Sequence, residues 1–307
     1  MLDLTFLSVP QLFGKGKIQL DILKKYGTKC AITDFAILLG GYVSDTDYTS
    51  EGENINNRSC SWWTRELFRD QVSIVTADGL LGSCDCYERK VGFRPALPYS
   101  SISSISSNRV RENSLIKEIE YGEYPQWVVD ENYSRELEKA YDDGSLKTTG
   151  KSYTTDSVRC IDKEIFFRAR SHTEYEYNGK KYIHFIGDSN CQGQILSDGR
   201  TLEKGQSYWV CVEPIIWMVD EKEDIALSKY SILSGIHFCF NSSFEETFIK
   251  QFMDTYLAKE IECLVIKDKL IENKENKSYD FDSIFEDAIN KMNEINEVEK
   301  PKTLSLK

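Results

Sequence analysis

Asn178-Gly179 stands between two arms of alternating character, Glu174-Tyr-Glu-Tyr and Lys180-Lys-Tyr-Ile-His-Phe-Ile186. Asn and Gly both tolerate the positive φ that a tight hairpin turn demands, and alternation places one set of side chains on each face of a ribbon. The chain is therefore committed to an antiparallel pair here. Further strand-like runs surround it: Gln71-Val-Ser-Ile-Val75 before an Asp78-Gly79 turn, Lys90-Val-Gly-Phe-Arg-Pro-Ala-Leu97, Glu164-Ile-Phe-Phe-Arg-Ala-Arg170 and the apolar stretch Tyr208–Val219. Pro214 inside that last stretch predicts a break or an edge position, because proline gives the ladder no N–H.

Helical signals are fewer. Ile18, Ile22 and Leu23 share a face ahead of Gly27, a natural stop. Residues 134–142 read as a short helix capped by Ser134 and ended by Gly144. Residues 243–261 carry Phe244, Phe248, Phe252, Leu257 and Ile261 at near-helical spacing, with Glu245 and Glu246 in the first turn. The charged tail repeats the pattern in Phe281, Ile284, Phe285, Ala288, Ile289, Met292 and Ile295, an amphipathic C-terminal helix. Strands outnumber helices without alternating with them. The expected fold class is α+β, with mixed or antiparallel sheets and few helices. Composition shifts suggest lobes at 1–112 and 113–270, and a tail over 271–307.

Acidic side chains outnumber basic ones by 50 to 38 over 307 residues, a net charge of −12. Backbone contacts to nucleic acid are made by Lys and Arg, so direct nucleic-acid binding is disfavoured and a partner with a basic surface is favoured. Nine cysteines at diffuse spacings, no basic-then-apolar leader and no apolar run of membrane-spanning length point to reduced thiols in a cytoplasm.

Two segments carry a resemblance. Trp62-Trp63-Thr64-Arg65 with Val91-Gly-Phe-Arg-Pro-Ala-Leu97 resembles the closing portion of an uncharacterised bacterial and phage domain family with a C-type-lectin-like fold, distantly like formylglycine-generating enzymes. Val212-Glu-Pro-Ile-Ile-Trp217-Met-Val-Asp220 with Ala226-Leu-Ser-Lys229 is similar to that family's opening portion. The closing-type segment comes first here, so the order is inverted: the chain is permuted, or each segment belongs to its own lobe. The resemblance implies C-type-lectin-like lobes and no catalytic residues. The paired active-site cysteines of the formylglycine-generating enzymes have no counterpart.

Familiar catalytic patterns are missing. Gly144-Ser-Leu-Lys-Thr-Thr-Gly150-Lys-Ser152 has five residues between its glycines where a phosphate-binding loop has four, and it follows a charged segment. Cys84-Asp-Cys86 is too closely spaced for a zinc pair and lacks a second pair. His172, His184 and His237 accompany no Gly-x-Ser-x-Gly elbow. Glu174 and Glu176 share a strand face and read as exposed hairpin charge. No cofactor or metal is expected.

The expected function is therefore non-catalytic protein binding through loops on a firm sheet. The loops 44–59 and 76–89 and the acidic turn after Val219 are the candidate surfaces, with Asp45, Asp47, Glu51, Glu53, Asp220, Glu221, Glu223 and Asp224 as the carboxylates offered to a partner. One sharper version is a phage or mobile-element inhibitor of a host nucleic-acid-acting defence enzyme, anti-CRISPR-like, whose carboxylates mimic phosphates. The other alternative is an enzyme of unrecognised type, whose sign would be a pocket where histidine, thiol and carboxylate converge.

Overall fold

A computed structural model describes residues 2–14, 19–44, 58–68, 71–103, 109–111, 116–161, 164–187, 193–238 and 243–262. Contacts divide the chain into Met1–Val265 and Ile266–Lys307. The second unit, with the helix expected over 279–298, lies outside the described residues.

In chain order the first unit holds α1 (Val9–Phe13), α2 (Asp21–Tyr26), α3 (Asp34–Leu38), β1 (Trp62–Phe68), β2 (Gln71–Val75), β3 (Leu81–Asp85), β4 (Ala96–Pro98), α4 (Ser100–Ser103), β5 (Arg109–Arg111), β6 (Glu118–Val128), α5 (Glu131–Asp142), β7 (Lys147–Ile161), β8 (Glu164–Tyr177), β9 (Lys180–Ile186), β10 (Ser207–Asp220), β11 (Ile225–Ser228), α6 (Phe248–Phe252), a π-helical turn (Met253–Leu257) and α7 (Ala258–Glu262). The α+β class with antiparallel sheets and few helices holds. β1–β2–β3 form a small sheet, and the other eight strands form a large one.

β10 is the spine of the large sheet. One edge pairs with β6 from Val210 to Met218, while the other pairs first with β9 (Ser207–Cys211) and then with β11 (Trp217–Asp220). Pro214 falls in the gap between β9 and β11, so its missing N–H takes nothing from the ladder. The strand runs on through it, so neither a break nor an edge strand results: Pro214 sits inside a central strand, at a local gap in its second ladder.

The division expected near residue 112 does not split the first unit. β4, from the Gly-Phe-Arg-Pro-Ala-Leu run, pairs with β11 through Leu97↔Ala226 and Ala96↔Leu227. The two resemblance segments are thus neighbours in one sheet. Arg94 is buried, stacks 5.0 Å over the Trp62 ring and donates to the Ser228 carbonyl at 3.0 Å, so it caps carbonyls and pairs with no carboxylate among the described residues.

Several local expectations shift. The helix expected at 134–142 starts at Glu131, because the Asp130 carboxylate accepts from the amides of Asn132 and Tyr133. Ser134 is buried inside it. The stretch 243–261 is broken: Phe244–Glu246 is a 3-10 turn, and Thr247 caps the true helix start. Asn178 and Gly179 both take positive φ, 51° and 73°, and close the β8–β9 hairpin as the sequence requires.

Candidate functional site

The hairpin that the sequence announces most clearly also borders a cavity. β8 and β9 pair only from Tyr177↔Lys180 to Glu174↔Ile183. Beyond Glu174 the two strands serve different neighbours: β8 stays with β7 as far as Glu164, and β9 stays with β10 as far as Ile186. The result is a fork. His172 and Phe185 stack across its crotch at 5.4 Å. A cavity of about 550 Å³ lies in the fork, lined by Arg170, Ser171, His172, His184, Phe185, Ile186, Gly187, Lys204 and Gly205. Gly187 is required there, since a Cβ would stand 2.2 Å from the Glu203 carbonyl oxygen. Its N–H donates to Gln206 O and its carbonyl accepts from Gly205 N, both at 2.9 Å, which fastens the end of β9 to the 203–206 turn.

The lining is cationic and apolar. Arg170 and Lys204 stand on it, Ile186 is half exposed, and no carboxylate belongs to it. That polarity is opposite to the −12 of the whole chain.

Two of the three histidines reach this cavity, so the chemistry they could support needs examination. His172 Nε2 lies 2.8 Å from Thr155 Oγ1, and the ring meets Phe35 edge-on. Burial pushes its pKa down to about 4, so it is neutral at pH 7. His184 Nε2 lies 2.7 Å from Ser207 Oγ, which itself donates to Glu138 Oε2 at 3.0 Å. Because the serine proton goes to Glu138, the imidazole Nε2 carries its own proton and donates it to Oγ. It cannot also be the base that removes the serine proton. Glu138 stands at that same nitrogen, 3.8 Å away, whereas an orienting acid in a hydrolytic triad holds the other one. Trp209 Nε1 also donates to Glu138, and its indole stacks on His184 at 4.8 Å. The trio is an anchor for α5 against the sheet.

Among the described residues, Cys30, Cys60, Cys84 and Cys211 are held as thiols. Burial raises Cys30 and Cys60, and pushes Cys84 up to about 12 and Cys211 up to about 11. Among the described residues no three His, Cys, Asp or Glu side chains gather as a metal would need. Cys84 and Cys86 flank Asp85 at the end of β3 and the turn that follows. Gly144–Ser152 runs from a helix stop into β7, with Gly144 and Gly150 both at positive φ.

The carboxylates expected to face a partner divide sharply. Asp45, Asp47, Glu51 and Glu53 lie outside the described residues. Asp220 is buried, and its carboxylate accepts from Asp21 N at 2.8 Å and Ile22 N at 3.4 Å, capping α2 from across the fold. Asp224 takes φ 51° and accepts from Ser100 N and Oγ, both at 2.7 Å, which starts α4. Glu221 pairs with Lys117 and Glu223 with Lys222, and both glutamates keep surface exposure. Glu174, read as exposed hairpin charge, is buried instead: Thr149 Oγ1 and Tyr153 OH both donate to it. Glu176 is exposed. The stretch expected as a loop over 76–89 holds strand β3 (Leu81–Asp85) between two turns, and Leu80 and Leu81 stand at the surface.

The fork residues Arg170, Ile186, Gly187, Lys204 and Gly205 were not selected by sequence reasoning. The one available signal was the unequal length of the two hairpin arms, with the strand-like run from Glu164 far longer than the one ending at Ile186. No described helix is long and apolar enough to cross a membrane. Compared with known protein families, characterised proteins and solved structures, the chain matches none.

Proposed function

We propose that this chain is a non-catalytic protein-binding protein built on a C-type-lectin-like lobe. The observation that carries the reading is the composition of the fork: cations, apolar walls and main chain surround the cavity, and the Nε2 atom of each imidazole meets a hydroxyl of the sheet. Such a lining favours holding a ligand over transforming it, because no carboxylate or thiol stands among the lining residues to work with the two imidazoles. The lectin-like part draws on the adjacency of the Gly92–Leu97 run and the Trp217 strand in one sheet. The test uses the whole chain as bait in its native cell, with cross-linking and mass spectrometry, beside an Arg170→Glu/Lys204→Glu variant. A protein partner kept by the first and lost by the second is the expected result. Turnover of a small molecule by the purified chain, lost on His184→Gln, would overturn the reading.

The exposed Glu221 and Glu223 and the net charge favour a second reading, an acidic inhibitor of a host nucleic-acid enzyme. It predicts affinity for basic enzymes that falls steeply with salt and is untouched by the fork variant.

A further inference from the structure

We infer that α7 is a pH-gated clasp, docked on β6 and β7 through the carboxyl of Glu260 and let go when that carboxyl loses its proton. The inference is independent of the fork and of the protein-binding reading.

The seat is a close one. Gly122 takes φ 68° within β6, and a Cβ there would run into the Ile261 side chain and carbonyl alike, so α7 lies directly on the main chain of the strand. Ala258 and Ile261 are fully buried. On β7, Thr154 stands opposite Ser171 of β8, and its amide donates to Glu260 Oε1 at 2.7 Å. The helix thus touches one strand through packing and the other through a hydrogen bond.

The hold is incomplete. Glu260 Oε2 is buried with no hydrogen-bond partner among the described residues, and the Tyr124 hydroxyl on β6 is in the same state. A protonated carboxyl is tolerated in such a place, whereas a carboxylate brings a full charge to a site with few donors. Burial pushes the Glu260 pKa up to about 7, against the pull of the Thr154 donors and of Lys151 on β7. The titratable neighbours that feel its charge are Tyr124 on β6 and Tyr256 in the π-helical turn, both raised by burial first and by Glu260 second. Glu262, on α7 itself, acts on Tyr121 of β6.

The helix also has a place to swing. α6 is pinned by its Thr247 cap and by Lys250, which holds Asp254 at 2.7 Å and Asp3 at 3.4 Å. Ile249, Phe252 and Met253 belong to the main core. Between α6 and α7 the turn Met253–Leu257 is π-helical, closed by the Ala258 amide on the Met253 carbonyl. An irregular turn of this kind lets α7 move without disturbing α6. The undocked carboxyl has its ordinary pKa of 4.5 and the docked one lies higher, so docking is fullest below about pH 4.5 and weakens as pH rises through about 7. Opening uncovers Ile261, the main chain at Gly122 and the Thr154 amide together, and it becomes more frequent on the alkaline side.

The test is amide hydrogen exchange of the full chain, corrected for intrinsic rates, at about pH 5.5 and about pH 8.5. Protection of Thr154 and of Ala258–Glu262 should drop about thirtyfold across that range, and dilute urea should leave it unchanged because little surface opens. The amides of β10, in the middle of the sheet, should stay better protected and respond to urea, as global unfolding requires. Glu260→Gln, which keeps an acceptor for Thr154 N without the charge, should abolish the drop. Far-UV circular dichroism checks that this variant folds. Where it does not, the wild-type profile decides, since urea separates local opening from global unfolding.

Protection of α7 that stays flat with pH would overturn the clasp. So would a single protection and a single urea dependence shared by α7 and β10, or a thirtyfold drop that survives in folded Glu260→Gln.

Discussion

Two buried carboxylates at opposite ends of the chain show how differently this fold handles charge. Asp34 opens α3, and its oxygens are saturated: Arg58 Nη2 lies at 2.8 Å, the Ser197 and Val128 amides donate at 2.8 and 3.0 Å, and Ser197 Oγ adds a further bond. One side chain thereby holds α3, the end of β6 and the 195–197 turn together. Glu260 on α7 is also buried, though less deeply, and poorly served. Its Oε1 accepts from Thr154 N at 2.7 Å, while Oε2 has no partner among the described residues. Burial pushes its pKa up to about 7. A buried carboxylate is held by the donors aimed at it, and Glu260 has fewer of them than Asp34.

The largest expected effect breaks the first site. Asp34→Ala leaves Arg58 buried without its counter-charge and should cost about 3–5 kcal/mol in urea unfolding at pH 7. A loss below about 1 kcal/mol would remove the contrast altogether. The next acts on Glu260. Its folded-state pKa lies above its ordinary value of 4.5, so its contribution to stability is full below about pH 4.5 and is lost as pH rises through about 7. Glu260→Gln keeps an acceptor for Thr154 N without the charge. It should stabilise the protein at pH 8 by at most about 3 kcal/mol and change little near pH 4, as urea midpoints at the two pH values will show.

His172 sharpens the comparison from the opposite side. Its folded pKa of about 4 lies below the ordinary 6.5, so its contribution is present above pH 6.5 and lost as pH falls through about 4. His172→Gln should flatten the acid limb of the stability profile by roughly 1–3 kcal/mol, and the imidazole resonances of the wild type should titrate near pH 4. The smallest effect concerns Tyr124, whose buried hydroxyl finds no partner among the described residues. Tyr124→Phe should be neutral or stabilising by less than about 1 kcal/mol, because the desolvation cost of the hydroxyl disappears with it. A clear destabilisation would mean that the hydroxyl is bonded after all, and that the region around Glu260 is better served than its geometry indicates.

The legible parts of this fold were those governed by near neighbours in sequence. Asn178-Gly179 forces its turn through the backbone freedom of two adjacent residues. Gly27 at φ 74° ends α2 for the same kind of reason, and the spacing from Phe248 to Ile261 marks a helix. Even there the start was misplaced where a cap competed: Asp130 outbid Ser134 because its carboxylate reaches two amides. The candidate site was barely legible. Nothing near Lys204 in sequence points to Arg170 or Ile186, and the fork exists only because β8 and β9 choose different outer partners.

Residue order alone settled that this chain forms antiparallel ribbons, where the sharpest turn lies and that helices fall near 21–26, 131–142 and 248–262, since those choices are made within a few bonds. Which acids turn inward was decided by packing. Asp220 caps a helix whose first residue lies 199 positions away, Asp34 meets Ser197 across 163, and Glu174 meets Tyr153 across a ladder. The energy of a charge depends on the donors and solvent around it in space, and those are assembled only when distant segments come together.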